Sequence, residues 1–140
     1  MNDMIERADL TELATSMTRH GTDRDAPVRE VMGLLGDRWT TLILLVLGAG
    51  EWRHAELRRT LARLSSEQSI SQRVLTLKLR TLERDGMVAR TVSADVPPKV
   101  SYRLTPLGAE LLCQVRSMIG WIEDHYDMIV YARAEFDSLA

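Results

Sequence analysis

Between residues 69 and 86 the sequence reads SISQRVLTLKLRTLERDG, whose polar side chains are of the types that read nucleic-acid bases. Arginine can grip guanine O6 and N7 with paired hydrogen bonds, glutamine can pair adenine N6 and N7, and threonine offers thymine a hydroxyl or a methyl. When Leu75, Leu79 and Leu82 face a core at i, i+4, i+7 spacing, Gln72, Arg73, Thr76 and Arg80 fall on the other side, with Ser71 near the helix start. Ser69 or Ser71 can cap this helix and direct its first amides at a phosphate. Arg58, Arg59, Lys78, Arg84, Arg90 and Lys99 add a reserve of phosphate-binding charge. Alone, such a face is ordinary solvated surface; the elements around it must supply the frame.

Other chemistries lack their residues. His20, His54 and His125 lie far apart with no Cys or carboxylate pattern of metal-binding spacing, so they read as ordinary residues and no metal is assigned. Gly33 and Gly36 form a lone GLLG, and no nucleophile elbow, Walker sequence or paired-carboxylate pattern is present. The sequence is therefore not read as an enzyme, and no cofactor is implied. Trp39, Trp52 and Trp121 read as core or interface residues, with an effector pocket near the terminal helices as the second reading. Cys113 falls off the apolar stripe of its helix and reads as a small residue rather than a sensor.

The frame follows from periodicity. Residues 1–19 carry Leu10, Leu13, Ala14 and Met17 at helical spacing; the polar stretch 20–27 ends at Pro27, which opens a helix that closes at Gly36. Asp37 caps a strongly apolar helix that Gly48 and Gly50 stop. The run RHAELRRTLARL predicts a short helix burying Ala55, Leu57, Leu61 and Leu64, and the turn SSEQS joins it to the helix that ends at Gly86. MVARTV and KVSYRL are β-rich runs separated by SADVPP, an antiparallel hairpin with prolines at its tip. Thr105 and Pro106 then start a long final helix whose stripe includes Leu107, Leu111, Val115, Met118, Ile119, Ile122, Tyr126 and Ile129. If unbroken to Arg133 it would run for about 40 Å, more than so small a core can cover.

Two short helices joined by a turn and followed at once by a β-ribbon predict a mainly α (α+β) fold: a winged helix-turn-helix with a two-stranded β-wing and N- and C-terminal dimerisation helices. It is read as one winged-helix domain over residues 1–140, with an N-terminal helix and loop (1–26), a core (27–104) and a C-terminal dimerisation helix (105–140). The 140-residue length suits one domain with its own core. Leu10, Leu13, Met17, Leu111, Val115, Met118, Ile122, Tyr126 and Ile129 are the expected dimer contacts. The single cysteine excludes an intramolecular disulfide, and no apolar run approaches membrane-spanning length, so a cytoplasmic protein without a membrane partner is expected. The formal net charge of −2 hides an uneven distribution: residues 51–90 sum to +4, while residues 1–30 sum to −3 and residues 105–140 to −4. A basic middle between acidic ends leaves room for double-stranded DNA as a local partner.

GDRWT, ISQRVLTLKLRTLERDG and VSYRLTPLG stand within residues 27–108 in an order and spacing that resemble the HxlR-type bacterial transcriptional regulators. The resemblance implies a homodimeric winged-helix regulator, a repressor or an activator, with Ser71, Gln72, Arg73 and Thr76 on its DNA-facing helix. Many such proteins carry a cysteine just before the proline that opens the second helix, and some use it to sense oxidants; here Ala26 occupies that place. The turn SSEQS is longer than the family's usual turn, and the tail extends beyond typical members. The expected function is sequence-specific binding to a palindromic operator as a homodimer, with a small-molecule effector left open. A winged-helix module that binds protein instead of DNA is the alternative.

Overall fold

The computed structural model describes residues 10–15, 26–65 and 69–139. The chain divides into two compact units, Met1–Thr41 and Leu42–Ala140.

In the first unit residues 10–15 are helical (α1), with Leu10 and Leu13 exposed; Met17 and His20 lie outside the described residues. The helix α2 (Pro27–Leu35) opens on its proline and closes at Gly36, whose N–H bonds the Met32 and Gly33 carbonyls. Asp37 starts α3 (Arg38–Leu47) as expected: its carboxylate accepts from the Trp39 N–H at 3.2 Å and from the Thr40 hydroxyl at 2.9 Å. Thr40 is fully buried, so that bond satisfies a hydroxyl that water cannot reach.

The second unit contains the rest of α3, β1 (Trp52–Arg53), α4 (His54–Leu64), α5 (Gln72–Arg84), β2 (Val88–Val92), β3 (Val100–Leu104), α6 (Pro106–Asp124) and α7 (Tyr126–Ser138). Its core joins Ile43, Leu44 and Leu47 of α3 with Leu57, Leu61, Leu75, Leu79, Leu82, Tyr102, Leu112 and Val115, all buried. The hairpin forms with Val88 opposite Leu104 and Val92 opposite Val100. A third strand joins it, because Trp52 and Arg53 pair antiparallel with Tyr102 and Ser101, giving the order β1-β3-β2. The sequence assigned Arg53 to the following helix; the Trp52 indole N–H instead donates to the Val46 carbonyl at 3.0 Å, holding the chain beside β3 before α4 begins.

Two glycines are required by geometry. Gly86 ends α5 at φ +78°, a left-handed conformation that side chains disfavour. Gly108, in the first turn of α6, lies so near the Met87 carbonyl that an added Cβ would stand 1.9 Å from its oxygen. The Thr105 hydroxyl, which accepts from the Gly108 N–H at 3.0 Å, caps α6 at this junction.

Three expectations are corrected. Helix α4 buries Leu57 and Leu61 but neither Ala55 nor Leu64: Ala55 precedes Leu57 by more than half a turn, and Leu64 lies at the helix end, past the core. The final helix is not continuous to Arg133. His125, at φ −106° and ψ 12°, separates α6 from α7, and its imidazole Nδ1 lies 2.7 Å from the Trp121 carbonyl one turn back. Val115, expected at the dimer surface, is fully buried within the chain, so it anchors α6 to its own core.

Candidate nucleic-acid interface

The surface centres on α5. Ser71 caps it, its Oγ accepting from the Val74 N–H at 3.1 Å, which orders the first turn and leaves amides at the helix start able to meet an anion. Leu75, Leu79 and Leu82 are fully buried, fixing the helix's rotation. The opposite line is found by stepping back two residues, about 200° around a helix of ~3.6 residues per turn. It runs Arg73, Leu77 and Arg80 and continues one turn on to Arg84, all exposed. The sequence grouped Gln72 and Thr76 with Arg73 and Arg80. Gln72 is exposed at the first turn, but Thr76 is half-buried at the edge of the leucine stripe.

Thr76 is held there by two hydrogen bonds. Its hydroxyl donates to the Gln72 carbonyl at 2.8 Å, and the Nε2 of His54 lies 3.0 Å from the same oxygen. The direction of the second bond follows the histidine tautomer: with the hydroxyl donating to the carbonyl, Nε2 is the donor. His54 also faces Tyr102 of β3, the rings 6.2 Å apart, and so connects α4, the sheet and α5. Burial pushes the His54 pKa below its ordinary 6.5, and the positive charge of Arg58 lowers it further. His54 reads as an ordinary residue in the sequence; 22 positions separate it from Thr76, and no local pattern announces the pair.

The basic residues fall into distinct groups. Arg59, Arg73, Arg80, Arg90 and Lys99 are exposed. Arg58 is tied to the turn between α4 and α5, its Nε donating to the Ile70 carbonyl at 3.0 Å, so its first task is to hold that turn. Lys78 is half-buried and already interacts within the protein, as does Arg84. At the wing tip the Ser93 hydroxyl accepts from the Lys99 N–H at 2.9 Å, closing the loop beneath the exposed ammonium. Residues 66–68 of the turn lie outside the described residues. No group of three or more His, Cys, Asp or Glu able to hold a metal occurs among the described residues.

A helix-turn-helix whose second helix is fixed by a buried leucine stripe, followed by a hairpin, decides the class, and sequence comparison agrees. The model of the HxlR-like helix-turn-helix family matches residues 34–129. The chain belongs to this family. It is 36% identical over 109 residues to the uncharacterized HTH-type transcriptional regulator YtfH of Escherichia coli (strain K12), covering 78% of this chain and 82% of the relative. The structure of the regulator ytfH from Salmonella typhimurium is similar at a TM-score of 0.65 and 34% identity, covering 80% of this chain and 95% of that one. The redox regulator HypR in its reduced form is similar at a TM-score of 0.64 and 38% identity, over 76% of this chain and 99% of that one. This HxlR-like chain is thus a winged-helix transcriptional regulator and not an enzyme. None of its described helices is long and apolar enough to cross a membrane.

Proposed function

We propose that the protein binds a palindromic operator in double-stranded DNA as a homodimer. Each protomer inserts the start of α5 into a major groove, the two insertions about 34 Å apart. The carrying observation is the pairing, on one helix, of a fully buried leucine stripe with an exposed face that bears Arg73 and Arg80 beside Ser71 and Gln72. Arg59, Arg90 and Lys99 then serve the phosphates. The dimer reading draws on exposed apolar residues of the terminal helices: Leu10 and Leu13 of α1, and Met118, Ile122 and Tyr126 of α6–α7, with Leu111 and Ile129 half-buried beside them. In this division of labour residues 27–104 form the DNA-binding core and residues 105–140 the dimerisation helices, acting in the cytoplasm.

HypR is a redox regulator; by the family resemblance Ala26 stands at the place where many members carry a cysteine, which favours a route other than a thiol at that position. An open depression of about 500 Å³, lined by residues that include Arg103, Leu112, Cys113 and Arg116, is the place on this unit where a small-molecule effector would be sought.

Selecting bound fragments from the source genome with the purified protein tests the DNA reading; a selected palindrome is expected, and no enrichment would overturn it. On the selected operator Arg73→Ala should cost about 1–3 kcal/mol and relax base preference at one position per half-site. Lys99→Ala should weaken binding to all sequences and reduce the salt slope by about one unit. Equal, sequence-independent losses in both would remove Arg73 as a base reader.

A further inference from the structure

We propose that Leu77 reads the C5-methyl group of thymine, making the centre of the DNA-reading face apolar between two arginines. The inference rests on the DNA-binding reading above and adds what the helix recognises.

Leu77 is 52% exposed although it belongs to a helix whose other side buries three leucines completely. It occupies the middle of the outward line, four residues after Arg73 and three before Arg80. A lone exposed leucine is unremarkable on most surfaces. Here two guanidinium groups flank it, and they suit the phosphates and guanine edges of the groove. An aliphatic side chain brought into a major groove by such neighbours has one apolar partner on the base edges, the thymine methyl.

The neighbouring threonine reinforces this reading. The Thr76 hydroxyl already donates its proton to the Gln72 carbonyl and lies within hydrogen-bond distance of His54 Nε2. To donate to guanine N7 or O6 or to thymine O4 it would first have to give up its bond to the Gln72 carbonyl. His54 acts here as a positioning residue, drawing that hydroxyl toward the sheet, so the reading face offers no uncommitted hydroxyl donor at this level of the helix.

The test uses full-length protein and the operator selected above, with thymines replaced one at a time by deoxyuridine, which removes only the methyl. For the parent protein, replacement at one position per half-site should weaken binding about fourfold, the equivalent of ~0.8 kcal/mol for one buried carbon group. Leu77→Ala should bind thymine and uracil operators equally, and Leu77→Met should keep the discrimination. Thr76→Val, which lacks the hydroxyl, and Thr76→Ser, which lacks the methyl, should both keep the discrimination because Leu77 supplies it. Leu77 is solvent-facing, so its variants should fold like the parent, which circular dichroism checks. A selected operator indifferent to methyl removal at every position would overturn the Leu77 assignment and leave DNA reading intact. Loss of the thymine–uracil discrimination in Thr76→Ser with that discrimination preserved in Leu77→Ala would also overturn it, making the threonine methyl the reader. Failure to select any sequence would overturn both readings.

Discussion

Helices α5 and α6 are both amphipathic, yet their apolar stripes end differently. In α5 the leucines at 75, 79 and 82 are all fully buried, so one protomer completes the helix. In α6 burial reaches Gly108, Leu112 and Val115 and then stops; Met118, Trp121 and Ile122 are exposed, as are Tyr126, Met128 and Tyr131 of α7. The chain thus finishes the helix proposed to meet DNA and leaves the distal tail with exposed apolar residues. The first arrangement sets a side chain's angle before any ligand arrives. The second leaves apolar surface that a second copy of the chain would cover in the proposed homodimer.

Removing the tail should have the largest effect. Truncation after Gly120 deletes Trp121, Ile122, Tyr126 and Ile129 and should convert a dimer at micromolar concentration into monomers or aggregates. Losing the linkage between two half-site contacts should reduce operator affinity on the order of 10²–10⁴-fold. Sedimentation checks the first outcome and operator titration the second; a well-folded monomer of the full-length chain would contradict the assignment of the tail.

Paired alanine substitutions sharpen the contrast. Leu79→Ala opens a cavity in a closed core and should lower unfolding stability by about 2–5 kcal/mol, mainly by removing contacts within the protomer. Ile122→Ala should act through assembly, shifting the concentration at which dimers form and making the urea midpoint more sensitive to protein concentration. Similar concentration-dependent losses in both would mean that α5 and α6 are not completed in different ways.

How far each region could be read from sequence follows the same division. The leucine spacing of α5 predicts its buried face because local periodicity and packing within the chain agree there. The same logic extended the final helix too far, since the stripe from Leu107 to Ile129 is continuous while the backbone turns at His125. It also sent Val115 to a partner, because periodicity identifies an apolar face without saying which surface covers it. Strand β1 is only two residues long, and its pairing with Tyr102 and Ser101 comes from 50 positions away or nearly so; a local window contains no trace of it. Helical spacing places Thr76 on the side opposite the leucines, whereas the structure half-buries it at the stripe's edge, within hydrogen-bond distance of the distant His54.

His54 gives a smaller effect confined to the α5 side. Its folded pKa lies below 6.5, chiefly from burial and then from Arg58. Between those two values the unfolded chain binds more proton than the folded one, so stability falls as pH drops from about 6.5 through the folded pKa. His54→Gln should flatten this part of the pH profile, since glutamine can still donate toward Thr76 but does not titrate there. Urea midpoints of parent and variant measured across that window test it; parallel curves would remove His54 as a proton-linked contact.

The smallest expected effect concerns Cys113, which lies on α6 between its buried start and exposed end and is itself exposed. If α6 beyond Val115 serves assembly while α5 serves reading, a modest change at Cys113 should leave both tasks in place. Ala26 leaves Cys113 as the only oxidisable thiol, so treatment with diamide probes this one residue and spares the seven methionines that stronger oxidants attack. The parent and Cys113→Ser should bind the selected operator equally before and after diamide, and non-reducing electrophoresis should detect no dimer linked through Cys113. Release of the parent from DNA with Cys113→Ser still bound would reverse the conclusion. A disulfide between two copies of Cys113 would then change the spacing of the two α5 helices, and the distal half of α6 would be a redox-sensitive joint as well as an assembly surface.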